Sequence, residues 1–213
     1  MNILQHAWEF INTWDRYLFL KINSSWTNPF FDAILPWWRD SNTWTPLYLF
    51  LILFVVINSK KQAFFWILAA IITLVLTDQI SSSLVKPLFG RLRPCSDPSL
   101  INQVRLLLPN CSGGYSFTSS HATNHFGFAS FVFITLKPLI KKWGNLLFLW
   151  AATISFSQVY VGVHYPLDIL SRRLSVHMDN DVQTSPQPSN IRILGIHSIV
   201  PPCWLVRIDE RKV

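Results

Sequence analysis

The stretch AFFWILAAIITLVLTDQISSSLV, Ala63–Val85, contains a single ionisable side chain, that of Asp78. An α-helix rises about 1.5 Å per residue, so roughly 20 mainly apolar residues cross the hydrocarbon core of a bilayer. The stretch therefore predicts a membrane-spanning helix. A carboxylate is unfavourable in lipid, which marks Asp78 either as a functional residue or as one with a structural partner near the interface.

The composition of the whole chain is that of a membrane protein. Of the 213 residues, 50% are hydrophobic and only 14% are charged, which lies outside the usual balance of soluble domains. The net charge of +7 would also suit a nucleic-acid-binding protein, but ten Trp and sixteen Phe among so few charges build no solvated basic face. We therefore expect the membrane, and no nucleic acid, as the partner.

Three further apolar runs are candidates for spans: Trp44–Ile57, His121–Ile140 and Asn145–Val163. Lys60 and Lys61 lie in the loop between the first two spans, and Lys137, Lys141 and Lys142 lie between the last two. Positive charge in short loops favours the cytoplasmic side of a membrane. The sequence thus predicts an all-α integral membrane bundle in which the chain around residues 86–120, and the chain after the last span, lie on the opposite side.

The N-terminal segment differs from these runs. Its apolar residues repeat at helical spacing beside charged ones: Trp8, Ile11, Trp14, Leu18 and Ile22. This pattern is typical of a helix that lies in the membrane interface, and the aromatic cluster at residues 28–38 suits a second one. A helix packed on the outside of the bundle is the alternative for both.

Polar side chains gather on the predicted non-cytoplasmic side. Lys86, Arg91 and Arg93 supply positive charge and donors suited to phosphate or carboxylate oxygens. Ser119 and Ser120 stand where a helix begins, and free N–H groups at a helix start favour an anion. The same basic residues are also typical of anchors to lipid headgroups.

Two histidines lie among these residues. His121 and His164 can exchange protons near neutral pH. Asp168 follows His164 by four residues, with Pro166 at an expected helix start, so the carboxylate can hold one ring nitrogen and leave the other as a nucleophile or base. Such a pair beside an anion pocket suits phosphoryl transfer without a metal. The alternatives are a structural His164–Asp168 pair and a zinc site at His121 and His125, which lacks a third ligand.

Three blocks now form a pattern: Lys86 with Arg93-Pro94 after six residues, TSSH at 118–121, and SQVYVGVHYPLD at 157–168. They resemble the signature K-x6-RP, PSGH, SR-x5-H-x3-D of the type 2 phosphatidic acid phosphatase (PAP2) superfamily. The resemblance implies an integral membrane α-helical enzyme that removes phosphate from lipid phosphates or diphosphates. It also implies a phosphohistidine intermediate and no metal or other cofactor.

The resemblance also assigns roles. His164 would be the nucleophile, Asp168 the residue that orients it, and His121 the general acid. Phosphate oxygens would be bound by Lys86, Arg93, Ser119 and the backbone at Ser120. Arg91 and Gln158 are the further candidates for substrate binding. The implied substrate is undecaprenyl diphosphate or phosphatidylglycerophosphate in a bacterial inner membrane, with the site facing the periplasm or exterior. The oligomeric state is not indicated.

The chain departs from the signature at three positions of these blocks. Thr118 replaces proline and Ser120 replaces glycine, and both changes are mild at a helix entry. Gln158 replaces an arginine that binds phosphate, which removes a full charge, and a hydrogen bond to a charged group contributes roughly 1.5–3 kcal/mol. Either Arg91 covers this loss, or the protein is an impaired relative that binds lipid phosphates without efficient turnover.

A fourth departure follows Leu170. Family members continue into one more membrane helix, whereas residues 171–213 are polar and rich in turn residues. We therefore expect a PAP2-like membrane domain over residues 1–170, with about five membrane helices of which the last is truncated. Residues 171–213 would form a divergent polar tail without regular structure, either native or the product of a shifted reading frame.

Cysteine usage gives one further expectation. Three cysteines are too few for a disulfide scaffold and form no CxxC metal pair. Cys95 and Cys111 both fall on the side assigned to the oxidising compartment. They are therefore candidates for a disulfide that holds the loop between them over the site.

Overall fold

The computed structural model describes residues 3–100 and 102–170. Seven α-helices lie between residues 3 and 160, and a further helix begins at Pro166. The seven are α1 (Ile3–Leu20), α2 (Pro29–Trp38), α3 (Thr45–Asn58), α4 (Ala63–Gln79), α5 (Lys86–Phe89), α6 (Ser120–Ile140) and α7 (Asn145–Tyr160). Short π-helical or 3₁₀ segments join several of them: Lys21–Ser25, Ser41–Trp44, Ile80–Val85, Pro94–Ser96 and Lys141–Gly144. The described residues contain no strand, which confirms the all-α prediction for this part of the chain.

Two segments are long and apolar enough to cross a membrane, Ser41–Asn58 and Ala63–Val85. Most of their side chains lie outside the protein core; Ile57 is 72% exposed and Phe64 is 69% exposed. A helix that is apolar around its whole circumference is stable only in lipid or deep inside a protein. These two segments correspond to the first two predicted spans.

The third and fourth predicted spans form helices with less apolar character. α6 begins at Ser120 and has 21 residues, whereas α7 has 16 residues and ends at Tyr160, three residues before the predicted end. The α6 helix carries histidine, threonine and asparagine near its start because this end faces other protein groups. The count of about five membrane helices stays a prediction.

The core of the bundle surrounds α6, which packs between α4 and α7. It contains Trp66 and Ala70 of α4, Ala129 and Val132 of α6, and Ile154 of α7. Gly127 allows α4 and α6 to approach closely, because a Cβ atom there would lie 2.6 Å from the methyl group of Thr77. This close packing aligns the ends of α4 and α6, which carry the polar residues described below.

The N-terminal helix α1 lies against the bundle with one face only. Asp15 and Phe19 are buried there, and the Phe19 ring meets that of Tyr165 edge to face at 5.4 Å. The outer face exposes large aromatic side chains such as Trp14 and Tyr17. Helix α1 thus packs on the outside of the bundle, which was the alternative to an interfacial helix. Its exposed apolar face is also compatible with the predicted position in the membrane interface.

A long loop between α5 and α6 covers one end of the bundle. Cys95 and Cys111 are joined in it by a disulfide with a Cα–Cα distance of 5.8 Å. The Asn23 amide donates to the carbonyl oxygens of Arg105 and Tyr160, both at 2.8 Å, and so ties this loop to α7. The predictions for residues 171–213 lie outside the described residues.

Candidate active site

His164 lies in a tight turn after α7. Gly162 has a φ of +94°, a conformation that glycine adopts without steric strain. The turn lets the backbone carbonyl of Gln158 accept hydrogen bonds from the N–H groups of Val163 and His164, at 3.2 and 3.3 Å. A helix then begins at Pro166, as the sequence predicts, and places Asp168 one turn beyond the imidazole.

Asp168 faces one ring nitrogen of His164. Its Oδ2 lies 3.5 Å from His164 Nδ1, and both side chains are almost completely buried. The carboxylate also accepts hydrogen bonds from the Tyr165 N–H at 2.8 Å, from the Ser116 hydroxyl and from Arg91 at 2.9 Å. This arrangement favours the proton on Nδ1, which leaves the lone pair on Nε2.

Arg93 faces the other ring nitrogen. Its Nη1 lies 3.2 Å from His164 Nε2, the position of a donor to that lone pair. The guanidinium is buried, and its Nε has no hydrogen-bond partner among the described residues. Burial lowers the pKa of the His164 imidazole, whereas the hydrogen bond and charge of Asp168 raise it. A cation beside a neutral imidazole lone pair can bind an oxygen of a group that this nitrogen attacks.

Lys86 reaches the start of α6. Its Nζ donates to Ser120 Oγ at 2.8 Å. Burial lowers the pKa of the Lys86 ammonium, and the charge of Arg93 acts in the same direction. The two cations of the first sequence block therefore converge on one region at the N-terminal end of α6, where the helix favours an anion.

Ser119 caps α6. Its Oγ accepts from the N–H of Ala122 at 3.4 Å, and its own N–H donates to the Asp168 carbonyl at 3.4 Å. The hydroxyl is buried and used locally as a helix cap. A contact between Ser119 and phosphate stays a prediction.

His121 lies close enough to the cluster for the charges of Arg39 and Arg93 to act on its ring. The neighbouring His125 uses both of its ring nitrogens in the protein: Nδ1 is 2.7 Å from the carbonyl of His121, and Nε2 is 3.4 Å from Tyr48 Oη. In the described part of the chain, no three His, Cys, Asp or Glu side chains gather as metal ligands would.

Arg91 and Gln158 have contacts that the sequence did not indicate. Arg91 is paired with Asp168 and with Asp15 of α1, and its guanidinium lies 3.8 Å from the centre of the Tyr165 ring. Because its guanidinium is already paired with two carboxylates, Arg91 is better placed to hold Asp168 than to bind phosphate. Phosphate binding by Arg91 stays a prediction. The Oε1 of Gln158 accepts from Arg39 Nε at 3.0 Å.

Sequence reasoning missed Asp15, Ser116 and Arg39 as members of this cluster. Only Asp15 has a visible signal, because it precedes the apolar Phe19 by one helical turn, and a carboxylate on a buried helical face needs a partner. Asp78 has a structural partner, since its Oδ1 accepts from the Asn124 amide at 3.3 Å.

Comparisons with known proteins agree with this architecture. A lipid A 4'-phosphatase of Bacteroides thetaiotaomicron is 32% identical over 166 residues, which cover 76% of this chain and 72% of the relative. An undecaprenyl-diphosphatase of Sulfolobus acidocaldarius is 30% identical over 129 residues, 60% of this chain and 55% of the relative. The crystal structure of Aquifex aeolicus LpxE superposes with a TM-score of 0.54 at 26% identity and covers 78% of this chain and 92% of that one.

The family model described as the PAP2 superfamily matches residues 63–171, a range that contains the three sequence blocks and every predicted catalytic residue. With this match, the similarity to the Bacteroides phosphatase and the helical arrangement, the chain belongs to the PAP2 superfamily of membrane phosphatases.

Proposed function

We propose that this protein is a metal-independent phosphatase of lipid phosphates that acts through a phosphohistidine intermediate. The observation that carries the proposal is the environment of His164, with Nδ1 3.5 Å from a buried carboxylate and Nε2 3.2 Å from a buried guanidinium. The first contact orients the ring and the second marks where a phosphate oxygen would bind.

In the first step, His164 Nε2 forms a bond to phosphorus while the bond from phosphorus to the lipid oxygen breaks. His121 donates a proton to that oxygen, so that the lipid leaves as an alcohol or, from a diphosphate, as a monophosphate. In the second step, water attacks the phosphohistidine, His121 takes its proton, and inorganic phosphate leaves. Lys86 and Arg93 stabilise the charge on the phosphoryl oxygens throughout.

Lipid A 4'-phosphate is the first substrate to test, because the alignment with the relative named for that activity covers 72% of that relative's length. Undecaprenyl diphosphate is the second, because the alignment with the relative named for it covers 55% of that relative's length. Phosphatidylglycerophosphate is a third lipid phosphate for comparison. We further propose that the site faces the periplasm of a bacterial inner membrane, because the lysine-rich loops lie at the opposite ends of the helices.

The full chain, purified in detergent, tests the proposal through release of inorganic phosphate from these lipids, with His164→Ala as the control. The enzyme is mixed with a lipid whose phosphate group is radiolabelled, and the reaction is stopped rapidly in base. A labelled phosphoenzyme that is stable in base and labile in acid is expected, as for a phosphohistidine. Equal phosphate release by the parent and His164→Ala would refute the proposal.

A second candidate function follows from Gln158, whose neutral side chain stands where the signature has a cation. A protein of this kind would bind lipid phosphates and release little phosphate. Saturable binding of a lipid phosphate, with a turnover equal to that of His164→Ala, would favour it.

A further inference from the structure

Gln158 is the starting point, because its backbone contacts the proposed nucleophile while its side chain contacts a residue from another part of the chain. The carbonyl oxygen accepts from the His164 N–H at 3.3 Å. The side-chain Oε1 accepts from Arg39 Nε at 3.0 Å. The residue is completely buried, so both contacts belong to the interior of the site.

Arg39 lies outside the part of the sequence that contains the family signature. It follows α2, whereas the family model begins at residue 63. The hydrogen bond to Gln158 uses Nε, and no described residue accepts a hydrogen bond from its Nη groups. Because a guanidinium carries five donors, the outer edge of Arg39 remains available for an acceptor with two oxygens.

The charge of Arg39 lies near the proposed phosphate site. It acts on Arg93 and on the His121 ring, which are the proposed phosphate ligand and general acid. Burial lowers the pKa of the Arg39 guanidinium, Asp40 opposes this, and the charge of Arg93 adds to it. Two guanidinium groups that repel each other in a partly buried site favour an anion between them.

The amide nitrogen of Gln158 is a second sign of an absent partner. Because Arg39 offers only donors, the amide oxygen must face it, which directs Nε2 elsewhere. This Nε2 is buried and has no hydrogen-bond partner among the described residues. A phosphate oxygen is an acceptor that would satisfy it.

We propose that Arg39 is a phosphate-binding residue of this site and that Gln158 positions it, so that an arginine from the N-terminal part of the chain supplies the charge that position 158 lacks. The proposal rests on the proposed function, because its ligand is the phosphate on which His164 would act. It replaces the expectation that Arg91 supplies the positive charge that is missing at position 158.

Inorganic phosphate tests this without turnover. The thermal stability of the full chain in detergent is measured against phosphate concentration for the parent and for Arg39→Ala. A hydrogen bond between charged groups corresponds to roughly a 10- to 100-fold change in affinity. We expect Arg39→Ala to weaken phosphate binding by that factor. The double variant Arg39→Ala with Gln158→Arg should recover most of it, which a merely structural role of Arg39 would not give.

Arg105→Ala is the matched control, because this arginine holds Asp32 of α2 at 2.7 Å. It should leave phosphate affinity within twofold of the parent. Should Arg39→Ala not fold, Arg39→Lys and Arg39→Gln replace it, and only the lysine variant should retain binding. An affinity of Arg39→Ala or Arg39→Gln within twofold of the parent, or no phosphate-dependent stabilisation of the parent, overturns the proposal.

Failure of the proposed function is a separate result, read as absent phosphate release from lipid by the parent. The phosphate titrations decide the role of Arg39 in that case as well, because they need no turnover.

Discussion

Arg91 and Asp168 form a buried ion pair in which Nη1 lies 2.9 Å from Oδ1. The same guanidinium lies 2.6 Å from Asp15, and the Asp15 Oδ1 accepts from the Leu167 N–H at 2.7 Å. Helix α1 is therefore connected to the carboxylate that faces His164 and to the start of the helix that carries it. The N-terminal helix supports the proposed catalytic pair, although it lies outside the sequence blocks of the signature.

Replacement of Arg91 should destabilise the protein strongly. Arg91→Ala leaves Asp15 and Asp168 buried without their cation, and breaking such a network lowers the free energy of unfolding by about 3–5 kcal/mol. Arg16→Ala is the control, because Arg16 pairs with Asp97 at 2.8 Å but is 38% exposed. An exposed pair of this kind contributes about 0–1 kcal/mol. Denaturant unfolding in detergent measures both, and equal losses would contradict the role of Arg91.

His164 and His121 should differ in their dependence on the leaving group. His164→Ala should abolish phosphate release from every substrate, because no nucleophile remains. His121→Ala should spare an aryl phosphate, whose leaving group needs no proton, and should slow release from a lipid phosphate by about 10²–10⁴-fold. Rates on both substrates measure this, and equal losses for His121→Ala would contradict a general-acid role.

The titration of His164 should make stability depend on pH below neutrality. Its pKa is lowered in the folded state, chiefly by burial, from an ordinary value of 6.5. The unfolded chain therefore binds a proton at a higher pH than the folded chain does. The stability from the neutral, buried ring is present above pH 6.5 and is lost as the pH falls from there through the folded pKa.

The comparison of the parent with His164→Asn checks this prediction. Between pH 8 and pH 5, the parent should lose more free energy of unfolding than the variant, which has no ring to protonate. A larger loss for His164→Asn would show that the folded pKa is raised instead.

Chelation should leave activity unchanged. Phosphate release is measured before and after incubation with EDTA, and after return of Zn²⁺ or Mg²⁺. We expect equal rates, because Lys86 and Arg93 occupy the role that a metal has in other phosphoryl transfers. Strong inhibition that Zn²⁺ reverses would instead support a metal site at His121 and His125.

The disulfide should be closed in protein isolated without reductant. With Cys95 and Cys111 paired, one thiol per chain, that of Cys203, should react after denaturation, and three should react after reduction. The loop has a sequence separation of 16, and closure of a loop near that length stabilises by about 3 kcal/mol in the chain-entropy estimate. Three reactive thiols before reduction, or unchanged stability of Cys95→Ser with Cys111→Ser, would refute a stabilising disulfide.

Local patterns made much of this structure predictable. Ala63–Val85 is long and apolar enough to cross a membrane, which its own composition predicts. Helix α6 begins within one residue of its predicted start because a serine cap precedes an apolar run. The pairing of His164 with Asp168 was also predictable, because four residues and a proline at the helix start bring the two side chains to one face. Each of these features depends on residues that are neighbours in the chain.

The sequence by itself determined the helices, the three blocks of the signature and the pairing of His164 with Asp168. Only the tertiary structure decided which groups surround that pair: Arg39 meets Gln158 across 119 residues, and Ser116 meets Asp168 across 52. Contacts at such separations leave no periodic trace in the sequence, because they depend on how whole helices pack. For that reason the sequence offered Arg91 as one of two explanations for the missing charge, whereas packing pairs Arg91 with two carboxylates and brings Arg39 to Gln158.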